Sequence, residues 1–290
     1  MSDFLQFFLS GLTTGAIYAL AALGFTIIYN ASGVINFAQG DFLMLGGMVT
    51  VALTQMQVPL ALAIPLAVLI TVIVAGLLER LAIAPAGDGS ILTLIIITIG
   101  ASIFMQGVVQ IVLGKNQHTL PSFSGDTAIR IGGAMMLPQS LWILGVAAVL
   151  VVLVACFFRF TLLGKAMLAV SMNRMAAQMV GIDTKIVLLL AFCLSGFLGA
   201  VAGIVAAPIT TTVSDIGLML GMKGFVAASL GGLGSGIGAV VGGLIVGLLE
   251  AFVAGYVSSA YKDAVPFVMI IVILLLMPHG LFGAKGSERV

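Results

Sequence analysis

Charge is what this sequence has least of. Asp, Glu, Lys and Arg make up 7% of its 290 residues, where a soluble domain carries about 25%. That scarcity, with 61% hydrophobic residues and a mean hydropathy of +1.30, defines an integral membrane protein with several spans. The formal net charge of +1 offers no attraction to nucleic acid or another polyanion. Cysteine is nearly absent. Cys156 and Cys193 both fall inside apolar runs, which excludes a disulfide framework and a thiolate metal site. His118 and His279 stand alone, with no metal-ligand spacing around them. No Gly-x-x-x-x-Gly-Lys-[Ser/Thr] phosphate loop occurs, and no His–Glu or Cys–His constellation. No enzymatic role, metal or bound cofactor is therefore expected of this chain, and energy must come from a partner or an ion gradient. The N-terminal Met1-Ser-Asp-Phe-Leu-Gln lacks the basic region of a signal peptide, and its apolar run continues to Tyr29. It is expected to be a retained first span.

What is present is a series of apolar segments near the roughly 20 residues a span requires. They predict an all-α polytopic fold of about eight full spans plus one broken or half-depth helix. The spans are Leu5–Tyr29, Gly40–Gln55, Val58–Leu78, Ile91–Leu113, Leu141–Phe158, Ile186–Ala207, Ile237–Val257 and Pro266–Met277; the half-depth helix is Gly221–Gly232. Residues 1–290 form a single membrane domain on this reading. Residues 159–185 carry four Lys or Arg, and the tail carries Lys285 and Arg289. The positive-inside rule puts both on the cytoplasmic side. Counting back puts the loop 114–138 and the N-terminus outside.

The first and sixth spans are each followed by a polar interruption and then a glycine-flanked apolar turn: Gly40-Asp-Phe-Leu-Met-Leu-Gly-Gly47 and Gly217-Leu-Met-Leu-Gly221. One interruption lies at each membrane face, as an inverted repeat would require, with the transport site beside the broken helices. Matches this short also arise by chance.

Residues 159–185 are too polar to enter hydrocarbon, where a central charge costs about 2.5–3.5 kcal/mol on insertion scales. The segment reads as a short helix outside the membrane, bounded by Gly164 and Gly181: a connector, or a structure that touches a partner. The run Gly231-Gly-Leu-Gly-Ser-Gly-Ile-Gly238, continued by Gly242, Gly243 and Gly247, has two readings. Small-xxx-small pairs allow close helix packing. Alternatively the turn through Gly234, Ser235 and Gly236 is a hinge in a broken helix that rejects side chains. Glu250 lies within a span and needs a partner or a cavity. Lys223 is the nearest candidate in sequence, either in a structural ion pair or on the substrate route. Asp41 and Asp215 adjoin helix starts, where capping is the expected role. Glu79-Arg80 reads as an inner-face anchor.

Four stretches resemble the LivH-type permease subunits of branched-chain amino-acid ABC importers. They are Val34-Ile-Asn-Phe-Ala-Gln-Gly-Asp41; Thr161-Leu-Leu-Gly-Lys-Ala166 through Gly181-Ile182; Gly221-Met-Lys-Gly-Phe-Val-Ala-Ala-Ser-Leu-Gly-Gly-Leu-Gly-Ser235 through Gly243 and Glu250; and Tyr261-Lys-Asp-Ala-Val265 with Pro278-His-Gly-Leu-Phe-Gly283. The resemblance implies a complex with a second homologous permease, two cytosolic ATPases that bind ATP and Mg, and an external substrate-binding protein. It implies a multi-pass subunit of the bacterial cytoplasmic membrane that moves a small zwitterionic aliphatic amino acid inward. It assigns Gly164, Lys165, Leu168, Ala169, Met172, Asn173, Ala176, Ala177, Gly181 and Ile182 to a coupling helix that docks on an ATPase. Asn36, Gln39, Gly40, Lys223, Gly231, Gly232, Gly234, Ser235, Gly236 and Glu250 are the expected translocation path or hinge. The family's pattern has an Arg before the Ala aligned with Ala169 and an acid shortly after it. Leu168 and Met172 stand there instead, so the contact should be mainly apolar. Urea, amide and aromatic-acid importers share most of these motifs. An ion-driven secondary transporter and a non-transporting membrane anchor are the rival classes.

Overall fold

The computed structural model describes residues 2–87, 89–277 and 279–283. The charges of the tail, Lys285, Glu288 and Arg289, lie outside the described residues. Among the described residues twelve helices succeed one another: α1 (Ser2–Ser32), α2 (Gln39–Gln55), α3 (Leu60–Leu78), α4 (Ala84–Ala86), α5 (Ile91–Leu113), α6 (Pro138–Phe160), α7 (Leu162–Met172), α8 (Arg174–Met179), α9 (Thr184–Thr210), α10 (Ile216–Gly231), α11 (Gly236–Tyr256) and α12 (Val265–Leu276). A π-helical turn, Glu79–Ile83, joins α3 to α4, and a 3₁₀ turn, Ser259–Ala264, leads into α12. Between α5 and α6 a hairpin pairs β1 (Ile129–Ile131) with β2 (Ala134–Met136). Its two-residue turn, Gly132-Gly133, has φ of +59° and +92°, the conformation that a tight hairpin requires and glycine supplies.

Seven helical stretches are long and apolar enough to cross a membrane. The expected second span is α2, only 17 residues, and the expected half-depth helix is α10, 16 residues. Both are largely buried, because they sit inside the bundle instead of facing lipid. Their surroundings correspond. α1 packs on α9, α10 and α11; α9 packs on α1, α2 and α3; α2 touches α3 and α5, and α10 touches α11 and α12. Exchanging α1 with α9, α2 with α10, α3 with α11 and α5 with α12 maps most of the helix contacts onto one another, the pattern an internal repeat would give, while the α1–α2 and α11–α12 contacts have no equal counterpart.

Packing in the bundle rests on small residues, since lipid is as apolar as Leu and gives helices no hydrophobic reason to associate. α11 is glycine-lined on two faces. A Cβ at Gly243 or Gly247 would fall onto the backbone of Ala19 or Gly15 of α1, and one at Gly238 or Gly242 onto Gly231 or Ala227 of α10. Helix starts are fixed by side chains. Thr161, Asn173, Asp183 and Ser235 accept from the N–H groups of Gly164, Ala176, Lys185 and Gly238 at 2.8–3.0 Å, each worth about 1 kcal/mol.

The connections form two opposite rims. At one, Gln6 of α1 exchanges hydrogen bonds with the Met135 backbone, His118 pairs with Thr212, and the Trp142 Nε1–H donates to Ser124. At the other, Asn30 donates to the Gly234 carbonyl at 3.0 Å, and the N–H groups of Leu281 and Phe282 donate to the carbonyls of Leu230 and Gly231. The N-terminal helix and the loop 114–138 thus meet at one rim.

Candidate functional site

The polar segment after α6 is two helices, not one. Asn173 adopts φ −157° and ψ +103°, ends α7 and caps α8. An interior Asn competes with the helix for backbone hydrogen bonds, and here it breaks it. α8 ends at Gly181, φ +85°, with the N–H of Ile182 bonded to the Ala177 carbonyl and that of Gly181 to the Gln178 carbonyl. That double bond is the glycine-based helix stop. Gly164 lies against the backbone of Phe157 and Phe158, where a Cβ would collide, so α7 is pressed onto the end of α6.

The expected coupling residues divide by burial. Lys165, Leu168, Met172, Asn173, Ala176 and Gly181 are exposed. Ala169 and Ile182 are half-buried, and Ala177 is buried at 3% exposure in the chain's own core. Ala177 therefore cannot receive a partner, a correction to its expected role. The outward surface is apolar: Met172, Met175 and Met179 are 70–86% exposed. Exposed, adaptable methionines are a surface that suits contact with another protein.

Deeper in the bundle, the first turns of α2 and α10 meet. A Cβ at Gly40 would lie 2.7 Å from the Gly221 Cα, and one at Gly217 2.9 Å from the Gly40 carbonyl oxygen. The two glycine-flanked apolar turns thus cross backbone to backbone. The preceding polar link is drawn into the core beside them. Asn36 accepts from the Ala38 N–H at 3.1 Å, and Gln39, fully buried, is hydrogen-bonded to the Ser195 side chain. Asp41 and Asp215 do not cap their helices. Asp41 is the third residue of α2, buried, and accepts from the Gln106 amide at 2.9 Å; Asp215 makes no cap bond.

Lys223 and Glu250 are paired, Nζ to Oε1 at 2.7 Å, both nearly excluded from solvent. Two partners escaped the sequence reading. Asp263, on the 3₁₀ turn, lies 2.7 Å from the same Nζ. Tyr18 donates to Glu250 Oε2 at 2.7 Å, and its ring lies 5.5 Å from the Lys223 nitrogen. One lysine thus joins α1, α10, α11 and the 3₁₀ turn. A tyrosine mid-span, whose hydroxyl must find a partner, was the available signal; Asp263 showed none beyond its polar surroundings. Glu250 is six residues from the end of α11, about 9 Å along it, so it sits toward one rim, not at mid-span.

The Gly-rich turn shows unequal constraint. Gly232 and Gly234 have φ of +96° and +99°, and Gly231 packs on the backbone of Gly238. Gly236, expected to reject side chains, is exposed with only Leu23 within 4 Å of an added Cβ. Ser235 caps α11.

Among the described residues no three His, Cys, Asp or Glu gather as a metal site. The site thus sits in a many-helix apolar bundle built around two buried short helices, with an exposed apolar ledge on α7 and α8. Residues 7–274 match the family described as branched-chain amino acid transport system / permease component. The chain is 36% identical to the high-affinity branched-chain amino acid transport system permease protein LivH of Salmonella typhimurium, over 99% of this chain and 98% of that one. It is 31% identical to BraD of Pseudomonas aeruginosa over the same shares. The solved PsaBC of Streptococcus pneumoniae, in complex with Fab, shares the fold at a TM-score of 0.56 and 12% identity, over 95% of this chain and 92% of that one. The chain belongs to the branched-chain amino acid transport permease family. It is a multi-pass permease subunit, not itself an enzyme.

Proposed function

We infer that this chain is the permease subunit of an ATP-driven importer that carries branched-chain amino acids inward. The observation that carries the reading is full-length identity above 30% to permeases named for that substrate class. Membership of an ABC permease family implies ATPase and substrate-binding partners. The finer assembly is one membrane domain over residues 1–290, a second homologous permease, two cytosolic ATPases that hold ATP and Mg, and an external binding protein. The exposed methionines of α7 and α8 supply the ATPase contact. Lys and Arg in 159–185, with Lys285 and Arg289 of the tail, favour a cytoplasmic ledge and C-terminus, with the hairpin loop and N-terminus outside the bacterial inner membrane. Asn36, Gln39, Gly40 and the Gly231–Gly236 turn flank the translocation region, and Lys223–Glu250 holds its outer part together. No mid-span Arg clamps a carboxylate, which suits a path fed by a separate receptor. Purification with native partners, followed by uptake from proteoliposomes containing ATP, tests this. Co-eluting ATPases and uptake of leucine, isoleucine or valine are expected. Uptake of urea or aromatic acids in their place moves the substrate, and uptake by the chain alone on an ion gradient rejects the class.

A further inference from the structure

At the rim that holds the methionine ledge, a cavity of about 660 Å³ opens between the end of α1, the π turn, α8 and the start of α9. None of the expected coupling or path residues lines it. Three cations do: Arg80, Arg174 and Lys185. Among the described residues, the only salt bridges are the two made by Lys223, so none of these three pairs with a described acid. The opposite charge is in the wall. Glu79 is 2% exposed, and its Oε2 has no hydrogen-bond partner. Burying an unsatisfied carboxylate oxygen is costly. Glu79 sits on the π-helical turn, a rare backbone form that recurs at functional sites. Beside the cavity's lining residues in sequence, Leu81 and Leu92 are each 70% exposed.

We propose that this cavity binds the headgroup of a zwitterionic aminophospholipid. The phosphate lies against Arg80, Arg174 and Lys185, in charge-assisted hydrogen bonds. The primary ammonium donates to Glu79 Oε2, the acceptor the chain leaves unused. The acyl chains run along Leu81 and Leu92. A choline headgroup offers the same phosphate and a cation without an N–H donor, and an anionic glycerol headgroup offers O–H donors without a cation. Neither gives Glu79 a charged N–H donor. Because Met175 and Gln178 of α8 also line the cavity, a bound lipid braces the short helix that carries the ledge. The site depends on the face lying at a membrane surface, not on which substrate is transported.

The test is lipid titration of the purified full-length chain in detergent, read by thermal unfolding and by mass of the intact protein–lipid species. The probes are phosphatidylethanolamine, phosphatidylcholine and phosphatidylglycerol of equal chain length, and soluble phosphoethanolamine. The ethanolamine lipid should bind about tenfold tighter than the other two, the worth of one charge-assisted hydrogen bond, and the soluble headgroup should not stabilise. Glu79→Gln should bring the ethanolamine-to-choline ratio to about one. Arg174→Ala with Lys185→Ala, both on exposed side chains, should weaken all three lipids and leave the lipid-free unfolding midpoint in place. Equal binding of ethanolamine and choline lipids by the unmodified chain, or an ethanolamine preference that survives the double variant, overturns the proposal. Tighter glycerol-lipid binding makes this an anionic-lipid site, and stabilisation by soluble phosphoethanolamine a free-phosphate site; either contradicts it.

Discussion

Lys223 shows how a single side chain organises this bundle. It lies between the carboxylates of Glu250 and Asp263 and above the ring of Tyr18. Removing one partner of a buried pair costs about 3–5 kcal/mol, because the other charge is left uncompensated. Lys223→Met should therefore lower the thermal midpoint more than Glu250→Gln, whose amide oxygen can still accept from Lys223 while its NH2 group donates to the Tyr18 hydroxyl oxygen. Equal melting of both variants with the parent would show that the cluster holds nothing together. The glycines make a sharper contrast. Gly243→Ala drives a methyl into the α1 backbone at Ala19, an overpacking of about 1–3 kcal/mol, while Gly236→Ala meets open space and should be neutral or stabilising. Midpoints in detergent decide this, and a tolerated Gly243→Ala would refute the close α1–α11 contact. The Lys223–Glu250 pair was legible because two lone charges in apolar surroundings have few other partners. Tyr18 and Asp263 were not, because nothing local in sequence says which turn folds back over a lysine forty residues away.

Among the elements, α7 and α8 differ most from expectation. Propensity supported one helix from Gly164 to Gly181, since Ala, Met and Leu are good helix formers. Asn173 overrode it by offering its side chain to the Ala176 N–H. The same break decides which alanine faces out. Ala176 is exposed and Ala177 is buried beneath it, so a charge at each has a different effect. Ala177→Glu should destabilise the chain itself. Ala176→Glu should leave folding intact and weaken the ATPase contact, scored by pull-down. Loss of folding in Ala176→Glu, or none in Ala177→Glu, would contradict the observed packing. Asp41 and Asp215 were read as caps from their positions alone. Asp41 is buried and the Gln106 amide claims it, while Asp215 is exposed and makes no cap bond.

For the whole molecule, the legible features were those set by length and charge: apolar spans, the polar segment 159–185, and two interrupted segments of similar sequence. The crossing of α2 and α10 at Gly40, Gly217 and Gly221 was hinted at by the repeated glycine-flanked turn. What escaped was depth. A 17-residue helix buried on every side has the composition of a span without the length or the lipid-facing surface. The two rims follow from connectivity, and charge orients them. Cysteines introduced at Asn173 and Ser122, in a chain with Cys156 and Cys193 replaced, should label only from the cytosol and only from outside, respectively. Labelling of Ser122 from the cytosol would reverse the orientation.

The central claim is that this permease moves its amino acid only when the α7–α8 ledge transmits the ATPase stroke. The most direct measurement is leucine uptake and ATP hydrolysis in the same proteoliposomes, with the complete complex carrying Ala176→Glu. The account predicts normal insertion and at least a tenfold loss of uptake, about 1.4 kcal/mol of lost coupling, with hydrolysis either released from substrate control or absent because the ATPase has dissociated. Full uptake with full substrate-stimulated hydrolysis in that variant would contradict it, and would leave residues 161–183 as a connector between spans.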